Sequence, residues 1–185
     1  MSRRTAVIAA PLCFISLWTS FISVNAKPNS LERQLYSSGQ AKQKQGNYIG
    51  AIADLTKLLE INPQDAKAYN ERGIAKNALK DYLGAIADFT KAIEINPRDA
   101  YIYFDNRAGV KIEMGDYRGV VFDTTKTIEI KPNYTNAYER RGIAKQYLGD
   151  DRGACADYKK AVSLGDESAA QWLKSEGGTW CRNLQ

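Results

Sequence analysis

Apolar and small residues recur three or four positions apart from about residue 32 to residue 166. In one stretch these positions are Tyr69, Gly73, Ala75, Leu79, Ala85, Ile86, Phe89, Ala92 and Ile93. This is the spacing of helices that bury one face, and it does not alternate as a strand would. The polar pair Lys80-Asp81 falls between the two halves of the stretch. The pattern therefore predicts two helices joined by a tight turn.

The same pattern is written four times. GAIADLTKLLEINP at 50–63 returns as GAIADFTKAIEINP at 84–97, then more weakly as GVVFDTTKTIEIKP at 119–132 and GACADYKKAVSLGD at 153–166. The period is 34 residues, and once 35. A single helix pair cannot bury both of its apolar faces, whereas stacked copies cover one another. The repetition therefore predicts four helix-turn-helix units whose stacking forms the core.

Small residues hold fixed places in these units: Gly39, Gly73, Ala108 and Gly142 in the first helices, and Ala51, Ala85 and Ala154 in the second. Together with Tyr48, Tyr82 and Tyr117 after the turns and Pro63, Pro97 and Pro132 at the unit ends, they give a pattern that resembles the tetratricopeptide repeat family. The resemblance implies an all-α fold, an α-solenoid of four such units with a carboxyl-terminal capping helix. It also implies a right-handed superhelix whose concave face is lined by the first helix of each unit.

Unit three departs from the family pattern, with Val120 at a small position and Thr124 and Thr127 where an aromatic residue and Ala are usual. Unit four ends in Asp166 instead of Pro. We expect these two units to pack less tightly. The predicted boundaries are a linker at 27–31, units at about 32–65, 66–100, 101–134 and 135–166, and a capping helix and tail at 167–185.

The first 26 residues have the pattern of a secretory signal peptide. Arg3 and Arg4 precede an apolar run over 6–24, which ends at a small-residue cleavage pattern, Val24-Asn25-Ala26. Cleavage would make Lys27 the mature amino terminus of a protein exported to the periplasm, a lumen or the extracellular space. The alternative is an uncleaved membrane anchor, because the run over 6–24 is almost long enough to cross a bilayer.

Composition weakens the case for an enzyme or a nucleic-acid-binding protein. The chain has no histidine, which is the commonest general base and metal ligand. Its formal charge of +5 includes Arg3 and Arg4, and without them 24 basic and 21 acidic residues leave +3, with both signs alternating along the chain. No nucleophile–base pair, metal-ligand spacing or phosphate loop stands out. We therefore expect neither catalysis, nor a cofactor or metal, nor a nucleic-acid partner.

Charged residues also repeat. An arginine recurs at one place of the first helices and an aspartate at one place of the second, which predicts three ion pairs near the packing seam: Arg72 with Asp88, Arg107 with Asp123, and Arg141 with Asp157. The alternative is a ladder of cations for an anionic ligand. The repeated lysines Lys42, Lys76, Lys111 and Lys145 are expected to extend along the same seam.

The residues after unit four predict a terminal cap. Asp166 can cap a short amphipathic helix that places Trp172 against the last apolar face of the stack. Two cysteines lie beyond the predicted signal peptide, Cys155 on the second helix of unit four and Cys181 after the capping helix. Export to an oxidising compartment favours a disulfide between them, and the alternative is two buried thiols.

By the resemblance, the concave groove binds a peptide or helix of another protein. Helical phasing predicts that its lining includes Arg33, Tyr36, Gln40, Lys44, Lys67, Asn70, Asn77, Asp105, Asn106, Asn136, Glu139, Arg140, Gln146 and Tyr147. The leading hypothesis is an exported interaction module that helps to assemble or hold a complex. A second is a structural element that associates with copies of itself, and a third is a glycan-binding accessory role through Tyr36, Tyr147 and Trp180.

Overall fold

A computed structural model describes residues 29–175 and 178–183. The predicted signal peptide or anchor lies outside these residues, as do the first two residues of the predicted linker. The described ranges contain ten helices: α1 Ser30–Lys44, α2 Tyr48–Ile61, α3 Ala66–Ala78, α4 Tyr82–Ile95, α5 Tyr101–Glu113, α6 Tyr117–Ile130, α7 Thr135–Tyr147, α8 Asp151–Ser163, α9 Glu167–Lys174 and α10 Thr179–Asn183. None of these helices has the length and apolar character needed to span a membrane. No strand is present in the described ranges, so the fold is all-α as predicted.

The helix ends follow from local polar residues. The side chain of Asp81 accepts a hydrogen bond from the Gly84 amide at 3.0 Å and caps α4. Asn47, Asp116 and Asp150 cap α2, α6 and α8 in the same way. Each first helix ends near a residue of positive φ, which is Gly46, Gly115 or Gly149 in three units and Lys80 (φ 62) in the other. These turns reverse the chain within three or four residues and bring the two helices of each unit together.

The helices form a solenoid of four hairpins: α1 packs on α2, α3 on α4, α5 on α6 and α7 on α8. Each hairpin then packs on the next through α2 with α3, α4 with α5 and α6 with α7. Successive first helices, α1, α3, α5 and α7, also touch one another, whereas the second helices make no comparable contacts within the described residues. The stack is therefore closer together on the first-helix side, which is the geometry of a concave face there.

Small residues let the two helices of a hairpin approach. A Cβ atom added to Gly73 would lie 2.8 Å from the Phe89 ring, and one added to Gly142 would lie 3.1 Å from the Tyr158 ring. Both rings are buried. Unit three has Ala108 at the glycine place, opposite the smaller Thr124. Where the first helix carries the larger alanine in place of glycine, the second helix carries a threonine in place of an aromatic residue.

The residues by which unit three departs from the family pattern lie in its core. Val120, Thr124 and Thr127 are all fully buried. The hydroxyl of Thr124 donates to the Val120 carbonyl at 2.7 Å, and the hydroxyl of Thr127 donates to the Asp123 carbonyl at 3.1 Å. Because each hydroxyl bonds back to its own helix, threonine fills the core without leaving an unpaired donor.

Two short helices close the carboxyl-terminal end of the stack. Asp166 caps α9 by accepting from the Ala169 amide at 2.9 Å, and α9 packs on α8. The Trp172 ring lies 4.3 Å from the Tyr158 ring, centroid to centroid. Cys155 on α8 and Cys181 on α10 form a disulfide, with Cα atoms 5.3 Å apart. The helix α10, which the sequence pattern did not predict, is thereby attached to the last repeat.

Candidate partner-binding groove

Three clefts follow one another along the first helices. One involves α1 and the start of α3, the next involves α3, α5 and α7, and the last lies between α7, α8 and α9. Lining side chains of different clefts occupy equivalent places in successive repeats: Tyr36 and Glu139 at one place, Ile74, Gly109 and Ile143 at a second, and Asn77 and Gln146 at a third. Equivalent places in a solenoid face the same side. The clefts are therefore parts of one groove on the concave face.

The middle cleft has a volume of about 320 Å³ and mixes apolar and polar walls. Its lining residues are Ile74, Asn77, Phe89, Asn106, Gly109, Glu113 and Arg140. At Gly109 the backbone of α5 comes close to Arg140, since a Cβ atom there would lie 3.3 Å from the guanidinium. Amide, carboxylate and guanidinium groups thus surround a space large enough for part of a peptide.

A buried acid sits beneath this cleft. Asp105 is only 4% exposed, and its Oδ2 accepts a hydrogen bond from the Tyr134 hydroxyl at 3.3 Å. Arg140 Nε lies 3.1 Å from Asp105 Oδ1, but its N–H does not point at that oxygen, so the contact is an ion pair without a hydrogen bond. Burial raises the pKa of Asp105, and the nearby charge of Arg140 opposes this shift only in part.

Two asparagines connect neighbouring repeats on the same face. Asn106 donates from Nδ2 to Asn70 Oδ1 at 2.8 Å, across the contact of α3 with α5. Two turns further along α3, the Asn77 side-chain oxygen is buried without a hydrogen-bond partner in the described residues. Asn77 lines the middle cleft, and a small rotation of its side chain would let the unpaired oxygen accept a hydrogen bond from a ligand N–H.

The first cleft is lined by Glu32, Arg33, Tyr36, Asp65 and Lys67. Burial, followed by the charge of Glu71, raises the pKa of Tyr36 to about 12. The Tyr36 hydroxyl lies 3.5 Å from the Glu71 carboxylate, at the outer limit of a hydrogen bond. This end of the groove therefore carries both signs of charge around a neutral phenol.

Twelve of the fourteen predicted groove residues have accessible side chains. Six are exposed, namely Arg33, Lys44, Lys67, Asn136, Gln146 and Tyr147, and six are partly buried, namely Tyr36, Gln40, Asn77, Asn106, Glu139 and Arg140. The prediction is wrong in placing Asn70 and Asp105 on the groove surface, because both are buried under neighbouring side chains. They occupy equivalent places in their repeats, on the side of the first helix that faces the next hairpin. There Asn70 accepts a hydrogen bond from Asn106, and Asp105 accepts one from Tyr134.

The structure brings together the three arginine–aspartate pairs that the sequence predicts. Arg107 donates from Nη2 and Nε to the two oxygens of Asp123 at 2.7 and 2.9 Å, and Asp123 is fully buried. Arg72 with Asp88 and Arg141 with Asp157 have the same geometry. These arginines are at most 17% exposed, so they offer little surface to an anionic ligand.

Sequence reasoning missed further partners of these pairs. Each aspartate also binds a lysine of its own unit at 2.8 Å: Lys76, Lys111 or Lys145. Each arginine reaches a threonine of the preceding unit: Thr56, Thr90 or Thr125. In unit one, Ser38 replaces the arginine, and Asp54 binds Ser38 and Lys42 instead. The regular recurrence of the threonines was the available signal.

Across residues 29–175 and 178–183, no three His, Cys, Asp or Glu side chains converge closely enough to hold an ion. The arrangement instead offers hydrogen-bond donors and acceptors, two signs of charge and aromatic faces along a curved surface. Such a surface suits the recognition of another polypeptide.

Comparison with known proteins gives a consistent result. Tetratricopeptide repeat family models match residues 35–65 and 66–99. No curated protein sequence matches the chain significantly. Among solved structures, a crystal structure of MamA is 26% identical, with a TM-score of 0.70 over 80% of this chain and 85% of that chain. The Arabidopsis OM64 TPR domain is 29% identical, with a TM-score of 0.55 over 59% of this chain and 91% of that one.

A further structure, MamA from residue 41 to the end from Desulfovibrio magneticus RS-1, is 17% identical with a TM-score of 0.72, over 84% of this chain and 91% of that one. At this identity the likeness shows the fold alone. The described helices thus form the same solenoid of paired helices as these solved structures.

Proposed function

This chain belongs to the tetratricopeptide repeat family, and from that premise we propose that it is an exported interaction module whose concave groove binds a peptide or helix of a partner protein. Proteins of this family are generally non-enzymatic modules for protein–protein interaction. The export, the groove as the binding surface and a role in assembling or holding a complex are the parts that we propose.

The observation that carries the proposal is the position of three clefts on the same side of the solenoid, along the first helices. Their walls hold polar groups that are not used in hydrogen bonds within the fold. Asn77 keeps a buried oxygen without a partner, and Glu113 is exposed at the edge of the middle cleft. A bound polypeptide has backbone N–H and C=O groups in a regular row, and a row of amides and charges can pair with them.

Site-specific photo-crosslinking in the native cells tests the groove. A photoreactive residue in place of Lys67 or Glu113 lies in the groove, whereas one in place of Ile49 or Leu83 lies on the second helices, where these side chains are 73% and 72% exposed. We expect the two groove positions to capture the same partner polypeptide and the two second-helix positions to capture none. Adducts from Ile49 and Leu83 alone would contradict the groove as the binding surface.

The same experiment separates the alternative of self-association. If the captured polypeptide is a second copy of this chain, the groove serves assembly of the protein with itself. Sedimentation at increasing concentration then has to show a species larger than the monomer.

Export is tested on the same cells. The intact mass of the protein recovered from outside the cytoplasm should correspond to a chain that begins at Lys27. A mass that includes Met1, in a protein that sediments with membranes, would support the uncleaved anchor over 6–24.

A further inference from the structure

The cleft at the carboxyl-terminal end of the groove differs from the other two because three of its eight lining residues are aromatic, against one in each of the others. It has a volume of about 420 Å³ and lies where α7, α8 and α9 meet. Tyr147, Tyr158 and Trp172 contribute its rings, and Glu139 contributes its carboxylate. The general proposal of a polypeptide groove does not explain this combination.

Contacts between lining side chains, and the contact of Tyr147 with Tyr117, hold the rings in place. The ring centroids of Tyr158 and Trp172 lie 4.3 Å apart at an interplanar angle of 38°, and the Tyr158 hydroxyl donates to Gln146 Oε1 at 3.3 Å. Tyr147 is stacked on Tyr117, with centroids 4.3 Å apart and planes within 2° of parallel, yet it remains 68% exposed. The walls are therefore pre-formed, and a ligand would not have to order them on binding.

The local charge is negative. Glu139 is partly buried and forms no salt bridge with any described residue. The neighbouring Arg140 lies against Asp105, and the lining of the cleft includes no Lys or Arg. Burial raises the pKa of Glu139 and the charge of Asp166 raises it further, while the charge of Arg140 lowers it by more than the charge of Asp105 raises it. A partly desolvated carboxylate close to other carboxylates is stabilised when a cation approaches.

We propose that this cleft binds an organic cation, the ammonium or guanidinium head of a lysine or arginine side chain in the partner polypeptide. The negative faces of the rings attract a cation, and the Glu139 carboxylate can accept its N–H hydrogen bonds. The charge favours such a ligand over a neutral sugar, which would gain from the rings but not from the carboxylate. This inference rests on the proposed groove function, because it names the side chain that the end of the groove selects.

Short peptides test the inference on the folded chain of residues 27–185. The probes are acetyl-Gly-Lys-Gly-amide, its arginine counterpart and an uncharged counterpart with norleucine, and the readout is the shift of backbone amide NMR signals of Gln146, Tyr147 and Trp172. We expect the two cationic peptides to bind at least about tenfold more tightly than the norleucine peptide. Equal binding of all three peptides would overturn the inference, as would binding of a chitotriose probe at this site without binding of the cationic peptides.

Variants assign the effect to named groups. Glu139→Gln keeps the size of the side chain and should weaken binding of the lysine peptide on the order of tenfold, with binding of the norleucine peptide unchanged. Tyr147→Leu removes an exposed ring and should weaken the lysine peptide severalfold. Glu94→Gln is the matched control, because it removes an exposed acid of α4 that lines none of the three clefts, and it should leave binding of the lysine peptide unchanged. If Glu139→Gln binds the lysine peptide as the wild type does, the inference is wrong.

The two proposals fail in different ways. If Lys67 and Glu113 positions still capture a partner but no peptide prefers a cation, the groove function stands and the cation site does not. If the lysine peptide binds through Glu139 but no groove position captures a partner, the cation site is real and the proposed function is wrong.

Discussion

Arg107 of α5 donates a hydrogen bond from Nη1 to Thr90 Oγ1 of the preceding hairpin, at 2.7 Å. The same guanidinium binds both oxygens of Asp123 in its own hairpin. Arg107 therefore connects two units of the solenoid while it neutralises a fully buried acid. Arg72 and Arg141 make the same two kinds of contact, so the connection recurs at each of the three junctions between hairpins.

Removal of the buried acid should destabilise the solenoid strongly. Asp123→Leu leaves Arg107 and Lys111 without their carboxylate, although their side chains are only 13% and 15% exposed. We expect the free energy of unfolding to fall by about 3 kcal/mol, because two desolvated cations lose their counter-charge. Urea denaturation followed by circular dichroism measures this loss.

Unit one supplies the matched control for this prediction. Asp54 faces Ser38 and Lys42, and the Lys42 side chain is 34% exposed and can turn to water. Asp54→Leu should therefore cost about 1 kcal/mol. If Asp123→Leu and Asp54→Leu lower the free energy of unfolding equally, the buried pair of cations Arg107 and Lys111 is not the cause of the loss.

Substitution of alanine for a first-helix glycine tests whether the close approach of the two helices requires glycine. In Gly73→Ala the new Cβ would lie 2.8 Å from the ring of Phe89, which is 1% exposed and cannot move freely. We expect a net loss of roughly 1 to 2 kcal/mol, because overpacking outweighs the better helix propensity of alanine. The cost should shrink in a Phe89→Leu background, as a double-mutant cycle of unfolding free energies would show.

Gly109→Ala is the control for the methyl group. Its Cβ would lie 3.3 Å from Nη1 of Arg140, the end of a long side chain that can shift. The substitution should therefore be neutral or stabilise by about 0.5 to 1 kcal/mol. A loss as large as that of Gly73→Ala would mean that the ring of Phe89 is not the cause.

The repeating units could be predicted from the sequence because repetition makes each signal visible several times. Gly39, Gly73 and Gly142 share one place, so the close approach of the two helices follows from a pattern and not from one residue. The arginine–aspartate pairs were found for the same reason. Asn70 and Asp105 were misplaced because helical phasing gives the face of a helix but not the side chains of the next helix that cover it.

The carboxyl-terminal cleft was beyond the reach of the repeat pattern. Trp172 was predicted as an anchor of the cap, and Tyr147 and Glu139 were predicted for the groove, but their meeting in one cleft depends on where α9 docks. The capping helix occurs once in the sequence, so a comparison between repeats cannot predict where it packs. Tertiary packing of a single short helix decides the geometry there.

Two carboxylates should make opposite contributions to the pH dependence of stability. Hydrogen bonds from Lys42 and then Ser38 lower the pKa of Asp54 below 3.8, so its stabilising contribution is present above pH 3.8 and is lost as the pH falls through the folded value. Burial raises the pKa of Asp105 above 3.8, so the folded state holds that proton more tightly. The contribution of Asp105 to stability therefore falls as the pH rises from 3.8 through its folded value.

Asparagine variants separate the two contributions. The difference in unfolding free energy between wild type and Asp54→Asn should shrink as the pH falls below 3.8. The difference between wild type and Asp105→Asn should instead decline as the pH rises above 3.8. Urea unfolding at a series of pH values between about 3 and 7 gives both curves. Slopes of the same sign would contradict the assigned environments.

The disulfide should stabilise the end of the solenoid rather than the whole of it. Cys155 and Cys181 are 26 residues apart, and closing a loop of this size in the unfolded chain is worth roughly 3 to 3.5 kcal/mol in the chain-entropy model. Because solenoid repeats contact only their neighbours, loss of the bond should expose α9, α10 and the facing side of α8 first. Hydrogen exchange should therefore be faster there after reduction than before it, and remain unchanged in α1 to α4.

The double variant Cys155→Ser with Cys181→Ser is the control. It should show the accelerated exchange without reductant and no further change when reductant is added. Uniform acceleration across all four hairpins would show instead that the array unfolds as one cooperative unit, and two titratable thiols in the denatured, unreduced chain of residues 27–185 would show that the bond is absent.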